Sequence, residues 1–190
     1  EGLSRIVKEH VGRFVGMATL PLLSPDKAAH ELDRAIRQLG LGGITLTSTV
    51  AGKPLDSQDI WQVYQRAEEL DVPIFIHPSW PMMAEHLQGW TMAVQMGFLF
   101  DAAVAMMRII LSGVMERYPN LSFILSHLGN VLPYITGRLN RSGDPRSGHW
   151  GENDKPPFEY FKRVYLDTVS HHRPSIMAAH ATMGIEKLVF

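Results

Sequence analysis

Two short apolar runs that each end on a histidine constrain this chain more than anything else in it: Pro73-Ile74-Phe75-Ile76-His77-Pro78 and Ser122-Phe123-Ile124-Leu125-Ser126-His127. Each has the length and β-leaning composition of a strand buried on both faces, and each gives way after its histidine to loop-type residues. A polar side chain therefore waits at the carboxyl end of a core strand. In parallel α/β folds the loops after the strands gather at that end, and ligands bind there. Two histidines so placed predict one shared active-site mouth.

The rest of the chain fits strands of this kind into an alternating order. Candidate strands occupy residues 13–18, 43–47, 73–77, 122–127 and 164–168, and a sixth begins at Lys187. Between them, Ser24-Pro25-Asp26 opens a helix with a cap residue, a proline at the first helical position and an acid in the first turn. Further helices are expected from Asp56 or Ser57 to Leu70, from about Gly97 to Arg117, from Leu132 to Leu139, over a turn at Phe158 to Lys162, and from Pro174 to Met183. Five βα units and a final strand imply right-handed crossovers and a parallel sheet. No Gly-rich dinucleotide fingerprint follows the first strand, which favours an incomplete (β/α)8 TIM-type barrel over an open nucleotide-binding sheet. The stretch 141–157, rich in Gly, Asp, Asn, Ser and Pro, is longer than most connections inside a domain.

Composition removes several classes of function. With 190 residues the default is a single domain, here a partial barrel over residues 1–190. The formal net charge is -1 and no Lys/Arg run marks a surface for nucleic acid or anionic lipid, so neither partner is expected. Cysteine is absent, so a thiolate nucleophile and a Cys-based zinc site are impossible, and a cytoplasmic location is the simplest expectation. The longest apolar stretch is interrupted by Asp101 and Arg108, which argues against a membrane span. The sequence starts at Glu1 without an initiator Met and stops inside the apolar run Lys187-Leu188-Val189-Phe190, so it reads as part of a longer chain.

Several side chains near the strand ends carry chemistry. A neutral imidazole at His77 suits zinc or a similar divalent ion, and His127 holds the corresponding position in its own unit with Gly129 shortly after. Asp167 closes the fifth strand and His171 sits in the loop beyond it, where both can meet a substrate. Trp80, with Met82 and Met83, is a candidate pocket wall beside His77. Arg108 and Arg138 lie on expected helices, where ion pairing or solvent is the simpler fate.

Four motifs in order then bring a family into view. These are Phe75-Ile76-His77-Pro78; Gly113-Val114-Met115-Glu116-Arg117-Tyr118-Pro119-Asn120-Leu121; Ser126-His127-Leu128-Gly129 with Leu132-Pro133-Tyr134 and Gly137-Arg138; and Tyr165-Leu166-Asp167-Thr168-Val169-Ser170. Over nearly its whole length the chain resembles the amidohydrolase-related (amidohydrolase 2) family, in the branch of aminocarboxymuconate-semialdehyde, resorcylate and dihydroxybenzoate decarboxylases. The resemblance implies a distorted (β/α)8 barrel of which the six strands here are the third to the eighth. It also implies a divalent metal, usually zinc, with His77 as the fifth-strand ligand, and His127 as the residue that activates water or protonates substrate. Two family features are missing: the first-strand His-x-His motif does not occur, and the eighth-strand Gly-Ser-Asp would fall just after Phe190. Many relatives also have His-Gly-Gly-Gly where this chain has His127-Leu128-Gly129-Asn130.

The function implied is non-oxidative decarboxylation of an aromatic or unsaturated carboxylic acid, in a homodimer. Metal-dependent hydrolysis of a C–C, lactone or amide bond would use the same residues. A third reading is a segment without a competent metal site.

Overall fold

A computed structural model describes residues 1–81, 83–140 and 149–190. Six strands form one parallel sheet: β1 (Met17–Thr19), β2 (Gly43–Thr47), β5 (Ile74–His77), β6 (Phe123–Leu125), β7 (Tyr165–Asp167) and β8 (Leu188–Val189). Two further strands among the described residues, β3 (Thr49–Val50) and β4 (Lys53–Pro54), make a small antiparallel hairpin. Each strand of the large sheet pairs with its predecessor, and the order never doubles back. A doubly wound sheet reverses its strand order; a barrel wall does not. The (β/α) barrel expectation is met over six strands.

Helices fill the crossovers: α2 (Pro25–Asp33), α3 (Trp61–Glu69), α4 (Phe98–Leu111), α6 (Leu132–Leu139) and α8 (Arg173–Met183), with the short α5 (Val114–Arg117) and α7 (Pro157–Phe161) beside them. The expected helix over residues 97–117 is two helices. Gly113 takes a left-handed φ of 79°, which ends α4 and starts α5. An additional helix, α1 (Gly2–Glu9), precedes the first strand and is pinned by Ser4 Oγ donating to Leu39 O at 2.6 Å. The first strand is also shorter and later than the apolar pattern at residues 13–18 predicts.

The sheet is buried on one face only, which corrects the expectation of strands buried on both. Ile44, Leu46, Ile74, Ile76, Phe123, Leu125 and Leu166 are almost wholly covered by the helices. Their alternates Thr45, Phe75, Ile124 and Tyr165 are half-buried on the opposite face. A run of apolar residues fixes the strand but cannot say which face is covered. Under the helices, Tyr64 packs edge-on to Phe123 with centroids 6.0 Å apart and donates its hydroxyl to Leu55 O at 2.6 Å.

Among the described residues one helical stretch, Ala93–Leu111, is long and apolar enough to cross a membrane, with mean hydropathy 1.7. Met106, Ile109 and Ile110 on it are completely buried and it carries the buried Asp101, as a core helix would. Arg108 meets Asp56 through paired contacts of 2.7 and 2.8 Å, the ion-paired fate its helix position suggested.

Candidate active site

Register brings the chemistry to one rim. β2 and β5 align Thr47 with His77, and β5 and β6 align Ile76 with Leu125, so the next residues, His77 and Ser126, stand level. β6 and β7 align Leu125 with Leu166, which puts Asp167 beside Ser126 in the same way. His77 and Asp167 share the half-buried face with Phe75 and Tyr165, and the ring of Phe75 lies 6.3 Å from that of His77.

The two histidines meet. Their ring centroids are 5.5 Å apart with planes inclined at 50°. His77 Nδ1 lies 2.9 Å from Pro78 O. A carbonyl can only accept, so Nδ1 carries the proton and a neutral His77 keeps its lone pair on Nε2. His127 Nδ1 lies 3.1 Å from Ser126 Oγ. Burial pushes the His127 pKa below the ordinary histidine value; the Asp167 carboxylate opposes that and His77 adds to it. His127 is therefore held mainly neutral at pH 7.

The loop that carries His127 is bent the wrong way for most residues. His127, Leu128, Gly129 and Asn130 have successive φ values of 53°, 57°, 73° and 59°. Three of these are not glycine, and each such conformation costs on the order of 1 kcal/mol or more, so the surroundings must enforce it. Asp167 supplies one restraint: its Oδ1 accepts from Leu128 N at 2.8 Å and from Val169 N at 3.1 Å. Asn130 supplies another by donating Nδ2 to Ser126 O at 3.1 Å. At Gly129 a Cβ would stand 2.8 Å from Leu166 Cδ2, so the turn also needs the missing side chain.

Trp80 and His171 stand at the same rim in the loops after β5 and β7, both exposed, Trp80 at 68%. Met82 lies outside the described residues, as does the 141–148 part of the loop expected at 141–157. Met83 lines an apolar cavity of about 360 Å³ with Pro81, Leu87, Phe100 and Asp101, but neither His77 nor Trp80 is among its walls, so it is not the pocket expected beside His77. Arg138 is exposed on α6. Sequence reasoning missed Ser48 and Asp101, which meet behind His77: Ser48 Oγ donates to Asp101 Oδ2 and accepts from Ser79 N at 2.9 Å. The signal was an aspartate inside an otherwise apolar helix.

A catalytic zinc takes about three protein ligands. Among the described residues no three His, Asp or Glu side chains come together in that way. His77 has the chemistry of one ligand, with its free Nε2, and a complete shell needs donors from elsewhere.

The sequence model of the amidohydrolase family matches residues 3–190. A decarboxylase, orsB, of Emericella nidulans is 36% identical over 157 residues, which cover 76% of this chain and 46% of that protein. The 2-amino-3-carboxymuconate-6-semialdehyde decarboxylase of Dictyostelium discoideum is 29% identical over 188 residues, covering 98% of this chain and 52% of its own. Among solved structures, a dihydroxybenzoic acid decarboxylase from Polaromonas with bound manganese and the inhibitor 2-nitroresorcinol superimposes with a TM-score of 0.89 at 26% identity, over 100% of this chain and 61% of that one. The chain thus spans about half the length of these curated relatives.

Proposed function

This chain belongs to the amidohydrolase family, and from that premise we propose that the protein is a metal-dependent decarboxylase acting on an aromatic or unsaturated carboxylic acid. The observation that carries the reading is the pair His77 and His127, 5.5 Å apart at one rim of the sheet. The relatives that resemble the chain include decarboxylases of such acids, one with manganese bound.

Decarboxylation replaces a carbon–carboxylate bond with a carbon–hydrogen bond, so a proton has to reach the carbon that loses CO2. His127 is the proton carrier in this reading. Its lowered pKa makes the imidazolium a stronger acid, and the neutral form recovers a proton from solvent between turnovers. His77 would hold a divalent metal through Nε2, with further donors needed to complete the shell. When bound, the ion would fix the substrate carboxylate and neutralise its charge. Zinc is the ion that the family resemblance implies, and the manganese of the Polaromonas enzyme makes manganese the rival. Trp80, Asp167 and His171 border the mouth and are the substrate-facing candidates, Asp167 with one oxygen already committed to backbone. A single barrel domain, a homodimer and a cytoplasmic location complete the reading.

The test is an assay of the full-length protein, with its metal content measured, on a panel of hydroxybenzoic and unsaturated dicarboxylic acids. CO2 release with a C–H product supports the proposal. Ring opening or hydrolysis without CO2 replaces it with the hydrolase reading.

A further inference from the structure

We infer that Ser48, held by the buried carboxylate of Asp101, is a positioning residue that fixes the tautomer and direction of the His77 imidazole. Its consequence for catalysis rests on the function proposed above; its consequence for His77 does not.

Ser48 follows β2 directly and is 1% exposed, and Asp101 lies in the first turn of α4 at 8% exposed. Ser48 grips the histidine segment at two points. Its amide donates to His77 O at 2.9 Å, continuing the β2–β5 ladder by one bond. Its Oγ accepts from Ser79 N, also at 2.9 Å. A serine hydroxyl has one proton to give. Here the proton goes to Asp101 Oδ2, so the oxygen lone pairs are left to face Ser79. Ser79 Oγ stands 3.1 Å from Ser48 Oγ and 3.0 Å from Thr49 Oγ1. With Ser48's proton committed, these hydroxyls form a directed relay from Thr49 through Ser79 and Ser48 to Asp101.

The amide that Ser48 holds is half of a peptide plane, and the other half is Pro78 C=O. In a trans peptide the N–H and C=O point in opposite directions. Anchoring Ser79 N on Ser48 therefore turns the Pro78 carbonyl the other way, where it accepts from His77 Nδ1 at 2.9 Å. Pro78 has a fixed φ, which removes one of the rotations by which the plane could escape. The order of control runs from Asp101 to Ser48, to the Pro78–Ser79 peptide, to the imidazole. Outer partners of this kind set which nitrogen of a histidine is free, and losing one typically costs about 10–100-fold in affinity or activity.

The experiment uses full-length protein with ¹⁵N-labelled histidine. In metal-free wild type, the His77 nitrogen shifts are expected to show a single Nδ1–H tautomer. In Ser48→Ala the Ser79 amide loses its acceptor, so both tautomers should populate and kcat/KM for CO2 release should fall at least tenfold, with the circular-dichroism spectrum unchanged. The double variant with Asp101→Asn should be no worse than Ser48→Ala alone, because both act through one peptide plane. A Ser48→Ala protein with wild-type kcat/KM within twofold and an unchanged tautomer overturns the proposal. If Ser48→Ala does not fold, Asp101→Ala carries the test, since it leaves the Ser48 proton without its carboxylate acceptor and frees the hydroxyl to turn away from Ser79 N; an unmoved His77 spectrum in that variant is equally decisive against it. A wild type that releases no CO2 from any acid removes the decarboxylase reading, and the nitrogen shifts of the same samples still decide the bracket.

Discussion

His77 ends β5, His127 lies two residues past the end of the neighbouring β6, and their rings stand 5.5 Å apart, close enough for one small molecule to touch both. The register of β5 on β6 is what brings them together, since it leaves His77 level with Ser126 and His127 one residue beyond. Neither ring is in the fully buried core, so each can be exchanged with little effect on folding.

The first prediction follows from that separation of roles. His127→Asn should lower kcat by about 10²–10⁴-fold, the range of a lost general acid or base, while the thermal midpoint stays close to wild type. His77→Ala should abolish CO2 release together with metal retention, read by elemental analysis of the purified protein. An unchanged rate in either variant removes that residue from the mechanism.

Asp167 separates geometry from charge. Asp167→Ala leaves the Leu128 and Val169 amides without their shared acceptor, so amide exchange at Leu128 should accelerate and kcat should drop about tenfold as the His127 loop loosens. Asp167→Asn keeps an oxygen at the same place and should preserve both the protection and most of the rate. Because the lost carboxylate charge favours the imidazolium, His127 in the metal-free Asn variant should titrate below its wild-type value. Equal loss of rate in the two variants, with exchange unaltered in both, would mark the carboxylate as a substrate contact instead.

Gly129 tests whether the left-handed turn is needed. In Gly129→Ala the new methyl would stand 2.8 Å from Leu166 Cδ2 at a φ of 73°. Strain and overlap together should cost about 1–3 kcal/mol, measurable by denaturant unfolding, with a fall in kcat larger than the loss of folded protein explains. A neutral substitution would show that the turn relaxes freely.

How much of this was legible in the sequence depends on what each signal encodes. β2 at Gly43–Thr47 and α6 at Leu132–Leu139 fall on the residues expected, because Gly40 and Gly42 end the preceding helix just before the strand and Pro133 opens the helix. His77 and His127 were legible because polar residues at the ends of apolar runs break a pattern. Ser48 and Asp101 were not, since an isolated serine after a strand looks like any loop residue and an aspartate in an apolar helix looks like an interruption. Their meeting depends on how α4 packs behind β2 and β5, which no local periodicity records. The break at Gly113 was missed for a similar reason: a glycine inside a helical pattern is tolerated in some helices and left-handed in this one.

A last prediction concerns the outer layer, where Arg66 on α3 grips Asp33 at the end of α2 with Nη2 at 2.5 Å and Nε at 2.9 Å. The hydrogen bonds from Arg66 hold the Asp33 carboxyl below the usual carboxylate range, with the guanidinium charge adding to them. A carboxylate whose pKa is lower in the folded state stabilises the fold above its unfolded pKa, about 3.9 for aspartate, and that contribution disappears as pH falls through the folded value. Asp33→Asn should therefore be less stable than wild type at pH 7, with the gap closing below about pH 3.9. Both partners are partly exposed, so the gap at pH 7 should be small and should shrink further in high salt. Urea unfolding at pH 7 and pH 3 reads it directly; a gap of the same size at both would mean that the pair contributes through packing alone.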